Sequence, residues 1–116
     1  MGKAFRDLQV WQRSMELAAA VYEMSKGFPR EELYGITSQL RRSVVSIPSN
    51  IAEGSGRNGC GEFKQFLAIA RGSNYEVQTQ LELAKMFSLG SPQSIDKALM
   101  LSQEVGKMLY ALLESE

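Results

Sequence analysis

Apolar side chains recur along this chain at spacings of three and four residues, which is the pattern of one face of an α-helix. Gly27-Phe28-Pro29, the stretch Gly54 to Gly61, and Gly90-Ser91-Pro92 interrupt it and divide the chain into four helical segments. The first is expected from about 7 to 26. Its core stripe is read as Leu8, Trp11, Met15, Ala18 and Tyr22, with Asp7 capping the start, Lys26 complementing the dipole at the end and Gly27 stopping it. A second apolar stripe, Val10, Leu17, Val21 and Met24, lies on the same segment. If Trp11 is buried in the core, Trp11→Ala is expected to cost roughly 3–5 kcal/mol.

The second segment runs from about 30 to 53, with the stripe Leu33, Ile36, Leu40, Val44, Ile47 and Ile51. Pro48 lies inside it, so a kink is expected there, with a break as the alternative. The third, about 61 to 89, carries Phe63, Leu67, Ala70, Val77, Leu81 and Ala84, with Asn74 as its polar member. The fourth, about 92 to 113, carries Ile95, Leu99, Ser102, Val105 or Gly106, Leu109 and Leu113. Ser91 is its expected N-cap and Pro92 its first residue. No strand alternation competes, and short connections make successive helices antiparallel. The sequence therefore predicts an all-α fold, an antiparallel up-down-up-down four-helix bundle, as one domain spanning 1–116. A 12.9 kDa chain buries about two-thirds of its unfolded surface, enough for a real core.

Composition narrows the chemistry. There is no histidine, which removes Ser-His-Asp and Cys-His catalysis and any His-ligated metal. One cysteine, Cys60, excludes a disulfide or four-cysteine zinc site within the chain and suits a reducing cytoplasm. Cys60 precedes the third helix but lacks any partner residue for catalysis, so a loop thiol without a special role is expected. Thirteen basic and thirteen acidic residues leave no net charge, so no global field draws the chain to nucleic acid or membrane. The longest apolar run, Leu17 to Tyr22, is too short to span a bilayer, and Gly2 lacks the motif for myristoylation. No catalytic set, cofactor, metal or small-molecule substrate is indicated, and the chain is read as a non-enzyme.

Gly54-Ser55-Gly56-Arg57-Asn58-Gly59 matches a dinucleotide-binding GxGxxG, with Glu76 following. That motif needs a strand before it and a parallel sheet around it. Here a helix precedes it, so the glycines are read as a connection between helices.

Opposite the core stripe of the second segment lie Gly35, Ser38, Arg42, Ser46, Ser49 and Glu53; on the third lie Ala68, Gly72, Thr79, Leu83 and Met86. Solvated helix faces normally carry long charged residues. Small residues there point to close approach by another copy, with Ser38, Arg42, Ser49, Glu53, Ala68, Gly72 and Thr79 as candidate interface residues. Arg42 and Glu53 stand roughly 16 Å apart on one helix, too far to pair within it. Basic residues also cluster: from Thr37 to Arg71, Arg41, Arg42, Arg57, Lys64 and Arg71 face only Glu53 and Glu62. These five are the candidate phosphate contacts for a nucleic acid.

The opening Phe5-Arg6-Asp7-Leu8-Gln9-Val10-Trp11-Gln12 and the stretch from Tyr34 to Gly54, with its Ser46-Ile47-Pro48-Ser49-Asn50-Ile51-Ala52-Glu53-Gly54 block, resemble a bacterial family of small four-helix bundles. So does Glu62 to Glu82. These proteins are encoded in intervening sequences of large-subunit ribosomal RNA genes, and the resemblance covers nearly the whole chain. It implies a ring, typically a homopentamer, and no catalytic residues. The accessory protein of diversity-generating retroelements, a basic pentameric barrel that binds nucleic acid and a reverse transcriptase, looks like a distant relative. The expectation is a cytoplasmic ring-forming scaffold or adaptor associating with RNA or a nucleic-acid enzyme; the alternative is a protein-protein module with no nucleic-acid role.

Overall fold

The computed structural model describes residues 4–115; Gly2 and Glu116 lie outside them. Four helices carry the structure: α1 (Gln9–Ser25), α2 (Ser38–Ser55), α3 (Cys60–Met86) and α4 (Pro92–Glu114). Each packs on its neighbours in the chain and α1 closes the set against α4, so the four stand as an up-down-up-down bundle. The long α3 sets its length, and the molecule measures 43 × 23 × 19 Å.

The later helices follow the pattern in the sequence. Leu40, Val44, Ile47 and Ile51 of α2, Leu67, Ala70, Val77, Leu81 and Ala84 of α3, and Ile95, Leu99, Val105 and Leu109 of α4 form the core. The Ser91 hydroxyl accepts a hydrogen bond from the Ser94 N–H, and Pro92 opens the helix. Asn74 is fully buried without penalty because its amide donates to the Ser102 carbonyl at 3.0 Å and its oxygen accepts from the Ser102 hydroxyl at 2.7 Å. Gly106 leaves room for this pair, since a Cβ there would lie 3.3 Å from the Asn74 amide nitrogen.

The first helix is turned differently from the expectation. Val10, Leu17, Val21 and Met24 are buried, while Met15 is 44% and Tyr22 42% exposed, and Leu8, Trp11 and Ala18 only flank the core. The stripe taken as secondary is the buried one. Ser14 completes it, hidden because its hydroxyl donates to the Trp11 carbonyl at 2.8 Å. Asp7 does not cap α1: it belongs to a 3-10 turn, Phe5–Asp7, and the N-cap position is Leu8.

The entry to α2 also differs. A 3-10 turn at Arg30–Glu32 and a π-turn at Leu33–Thr37, with Gly35 outside helical angles, precede the α-helix. Leu33 is consequently exposed although it lies in phase with the stripe. Pro48 does not end the helix, which continues to Ser55. The third helix stops at Met86, three residues short of its expected end, and Ser88 takes a positive φ of 57° in the turn that follows.

Gly54 belongs to α2 and not to a flexible loop, and α3 explains it. A Cβ on Gly54 would stand 2.6 Å from the Cβ of Phe66. That atom is fixed to its backbone, so it cannot swing away. Near the other end of this seam the Ser46 and Ser73 hydroxyls hydrogen-bond to each other, and Ser43 donates to Glu76 at 3.2 Å. Part of the small-residue face of α2 is thus spent inside the bundle.

Two predictions follow the corrected packing, both read by chemical denaturation. Leu17→Ala should cost roughly 2–5 kcal/mol, against less than about 1 kcal/mol for Met15→Ala. Gly54→Ala should destabilise by about 1–3 kcal/mol through overpacking against Phe66. The exposed Gly72, where a Cβ meets nothing, is the contrast: Gly72→Ala should stabilise by roughly 0.5–1 kcal/mol.

Candidate interaction surface

Rotating α1 to bury Leu17 and Val21 leaves its large side chains on the flank. Trp11, Met15 and Ala18 meet Val45, Pro48, Ser49 and Ala52 of α2 along an open groove of about 370 Å³. Phe5 packs edge-on to Trp11 at 5.2 Å and borders this surface. The α2 wall has no charge between Arg42 and Glu53, a run of ten residues, and α1 has none between Glu16 and Glu23. Pro48 is buried, so the wall is built on a fixed backbone. The sequence reading missed this groove. Its signal was the pair of apolar stripes on one helix: a square bundle buries one, and the other must lie on a flank.

The candidate interface residues divide. Arg42, Ser49 and Glu53 share the exposed face of α2, and Ser38 sits half-buried at its start. Ala68, Gly72 and Thr79 line the exposed face of α3, joined there by Tyr75.

The five basic residues do not form one patch. Arg41 bridges back to α1: its Nε donates to the Ser25 hydroxyl at 2.8 Å, and its guanidinium lies 4.8 Å above the Tyr22 ring. Arg57 pairs with Glu53 at 3.0 Å and stacks 5.0 Å over Phe66. Lys64 donates to the Ser115 carbonyl. Arg42 and Arg71 make no ion pair among the described residues. Arg41 and Arg57 are sixteen residues apart along one rod, roughly 24 Å. Any single ligand touching both must span more than half of the 43 Å bundle.

Charge chemistry elsewhere is modest. Lys85 is held above its usual amine range by the hydrogen bond it donates to Asp96 at 2.8 Å, which ties the end of α3 to the start of α4. Cys60 is free and exposed as the first residue of α3. Among the described residues no group of three His, Cys, Asp or Glu could hold a metal, and no helix is long and apolar enough to cross a membrane.

The fold and its surface define a small antiparallel four-helix bundle whose chemistry lies on helix flanks. A family model described as 23S rRNA-intervening sequence protein matches residues 6–111, and the chain belongs to that family. A similar solved structure is the crystal structure of a protein of unknown function from the S23 ribosomal protein family of Bacteroides thetaiotaomicron. It is 24% identical, covers 91% of this chain and 99% of its own, and superposes with a TM-score of 0.84. At that identity it speaks for the fold. No curated protein sequence matches.

Proposed function

We propose that this protein is a non-enzymatic, self-assembling cytoplasmic scaffold whose subunits meet through the exposed α1–α2 surface. The observation that carries this reading is the uncharged groove holding Trp11, Met15 and Val45 at the surface. A monomer gains nothing by leaving a contiguous apolar strip with no charge along its walls in water, and such strips serve as contact sites. Zero net charge removes the repulsion that would oppose assembly. A closed ring, with five subunits as the expected number, is the form suggested by the resemblance to ring-forming bundles.

The assembled scaffold then presents its remaining surface to RNA or to a nucleic-acid enzyme. Two observations support this step: Arg42 and Arg71 have no acidic partner among the described residues, and the family's own description concerns a 23S rRNA-intervening sequence. In a ring, a modest basic surface is repeated once per subunit. The protein-only alternative draws on the engagement of Arg41, Arg57 and Lys64 within the chain, which leaves fewer cations for phosphate.

Light scattering on the purified protein should give a mass several-fold above 12.9 kDa. Met15→Glu and Val45→Glu should each shift it toward monomer with helical content retained. A monomeric wild type at tens of micromolar would end the scaffold reading. RNA binding by the intact assembly should weaken steeply from low to moderate salt, because each phosphate contact releases counterions. Alanine at Arg41, Arg42, Arg57, Lys64 and Arg71 together should abolish it. An assembly that binds no RNA even at low salt would leave the protein-partner role standing.

A further inference from the structure

Gly72 has no use inside a single copy. It stands exposed in the middle of α3, where a Cβ would meet nothing, and glycine there weakens the helix. Gly54 and Gly106, by contrast, make room for side chains of the same bundle. Along the same outer face of α3 lie the exposed Ala68 and Tyr75. A bare backbone facing outward is accounted for when another chain comes close to it.

The groove between α1 and α2 needs an occupant of a particular shape. It is concave and its lining carries no charge. Two such grooves set face to face would enclose empty space, which a well-packed contact avoids. The occupant is therefore a convex, uncharged ridge, and the outer face of α3 supplies one at the right height. Ser43 bonds Glu76, Ser46 bonds Ser73, and Gly54 abuts Phe66, so the 45–52 stretch of α2 lies level with about 67–75 of α3. Arg41 over Tyr22 sets α1 against α2 in the same way. Ala68 then stands at about the height of Ala52 and Trp11, Gly72 at that of Met15, and Tyr75 at that of Ala18 and Val45. The small positions of the ridge meet Trp11 and Met15, the largest side chains of the groove, and the large Tyr75 meets smaller ones.

We propose that the outer face of α3 in one copy, at Ala68, Gly72 and Tyr75, seats in the α1–α2 groove of the next copy. This rests on the self-assembly reading above and names both halves of its contact. The halves are different surfaces of one chain, so the contact is head-to-tail and each copy keeps a ridge or a groove for a further one. The side of the bundle opposite the groove is shared by α3 and α4. A contact made by α3 alone lies off that diameter, so successive copies turn about an axis along the bundles, as a ring requires. Copies turned in one sense keep α2 on the same side. Glu76, on the α2 side of its helix, then faces the next copy's α2 at the height of Arg42, which flanks the groove and does not line it. Both are exposed, and within one chain they form no ion pair among the described residues.

Cross-linking tests this in a Cys60→Ser background, which removes the chain's own thiol. With Ala52→Cys and Ala68→Cys in one chain, mild oxidation with diamide should give a ladder of disulfide-linked oligomers, at least about tenfold more linked product than either substitution alone. Single variants that link into dimers as readily would set like surfaces against each other and overturn the proposal. A double variant that stays unlinked in a sample that assembles would also overturn it. Sedimentation gives an independent reading: Gly72→Gln should weaken assembly about tenfold or more with no loss of thermal stability, because the single copy leaves that site open. A Gly72→Gln chain that assembles as tightly as the wild type would overturn the contact and leave the scaffold reading intact. A wild type that does not assemble at all would remove the scaffold reading itself.

Discussion

The close approach of α2 to α3 governs most of what this molecule presents to its surroundings. At Gly54 the helices come so near that a methyl group would strike the Cβ of Phe66. Along the same seam Ser43, Ser46 and Ser73 replace larger side chains and satisfy their hydroxyls with one another or with Glu76. Close packing of this kind holds rotation tightly, because a turn of either helix would drive a backbone into a side chain. With α2 fixed, Ile47 and Ile51 must point inward, Val45 and Ser49 outward, and Arg42 and Glu53 onto one exposed face. The groove and the charge pattern are both consequences of that one orientation.

The same constraint decides how α1 sits. Two stripes compete on it, and by size alone the one with Trp11 and Tyr22 would fill more space. Burial favours the other for reasons that pairwise spacing does not display. Leu17 and Val21 carry no polar atom, whereas an indole N–H and a phenol each need a partner when enclosed. Tyr22 on the flank finds a use there, as the platform beneath the Arg41 guanidinium. Trp11 packs with Phe5 and lines the groove.

Much of the architecture was legible in the chain: four helices, their order, the N-cap at Ser91, and most of the buried positions of α2, α3 and α4. These are local signals, set by spacing and by turn chemistry. What was not legible depended on neighbours distant in sequence. The phase of α1 is fixed by α2 and α4. The π-turn at Leu33–Thr37 breaks a stripe that continues in phase on paper. Gly54 reads as loop glycine until Phe66, twelve residues further on, stands against it. The candidate surface was half legible. Small residues on α2 did mark close approach, but for Ser46 the approaching helix was the chain's own α3, while Ser49 and the residues beside it remain open. The basic residues were legible as a run in sequence and not as a patch in space, because the run spans most of α2 and the first part of the antiparallel α3.

That last difference bears on how a neutral subunit could serve a nucleic acid. Phosphate binding strengthens with the number of cations that reach the backbone together, and a single bundle offers Arg42 and Arg71, without acidic partners among the described residues, and three more cations already engaged. Exposed engagements of this type exchange at little energetic expense, so Arg57 is available to whichever anion offers more. Arg42 shares the exposed face of α2 with Ser49 and Glu53, whereas Arg71 lies on α3 and Arg57 and Lys64 lie near the start of that helix. The cations of one subunit are thus spread over separate faces, and an extended anion would meet them singly and not as one patch.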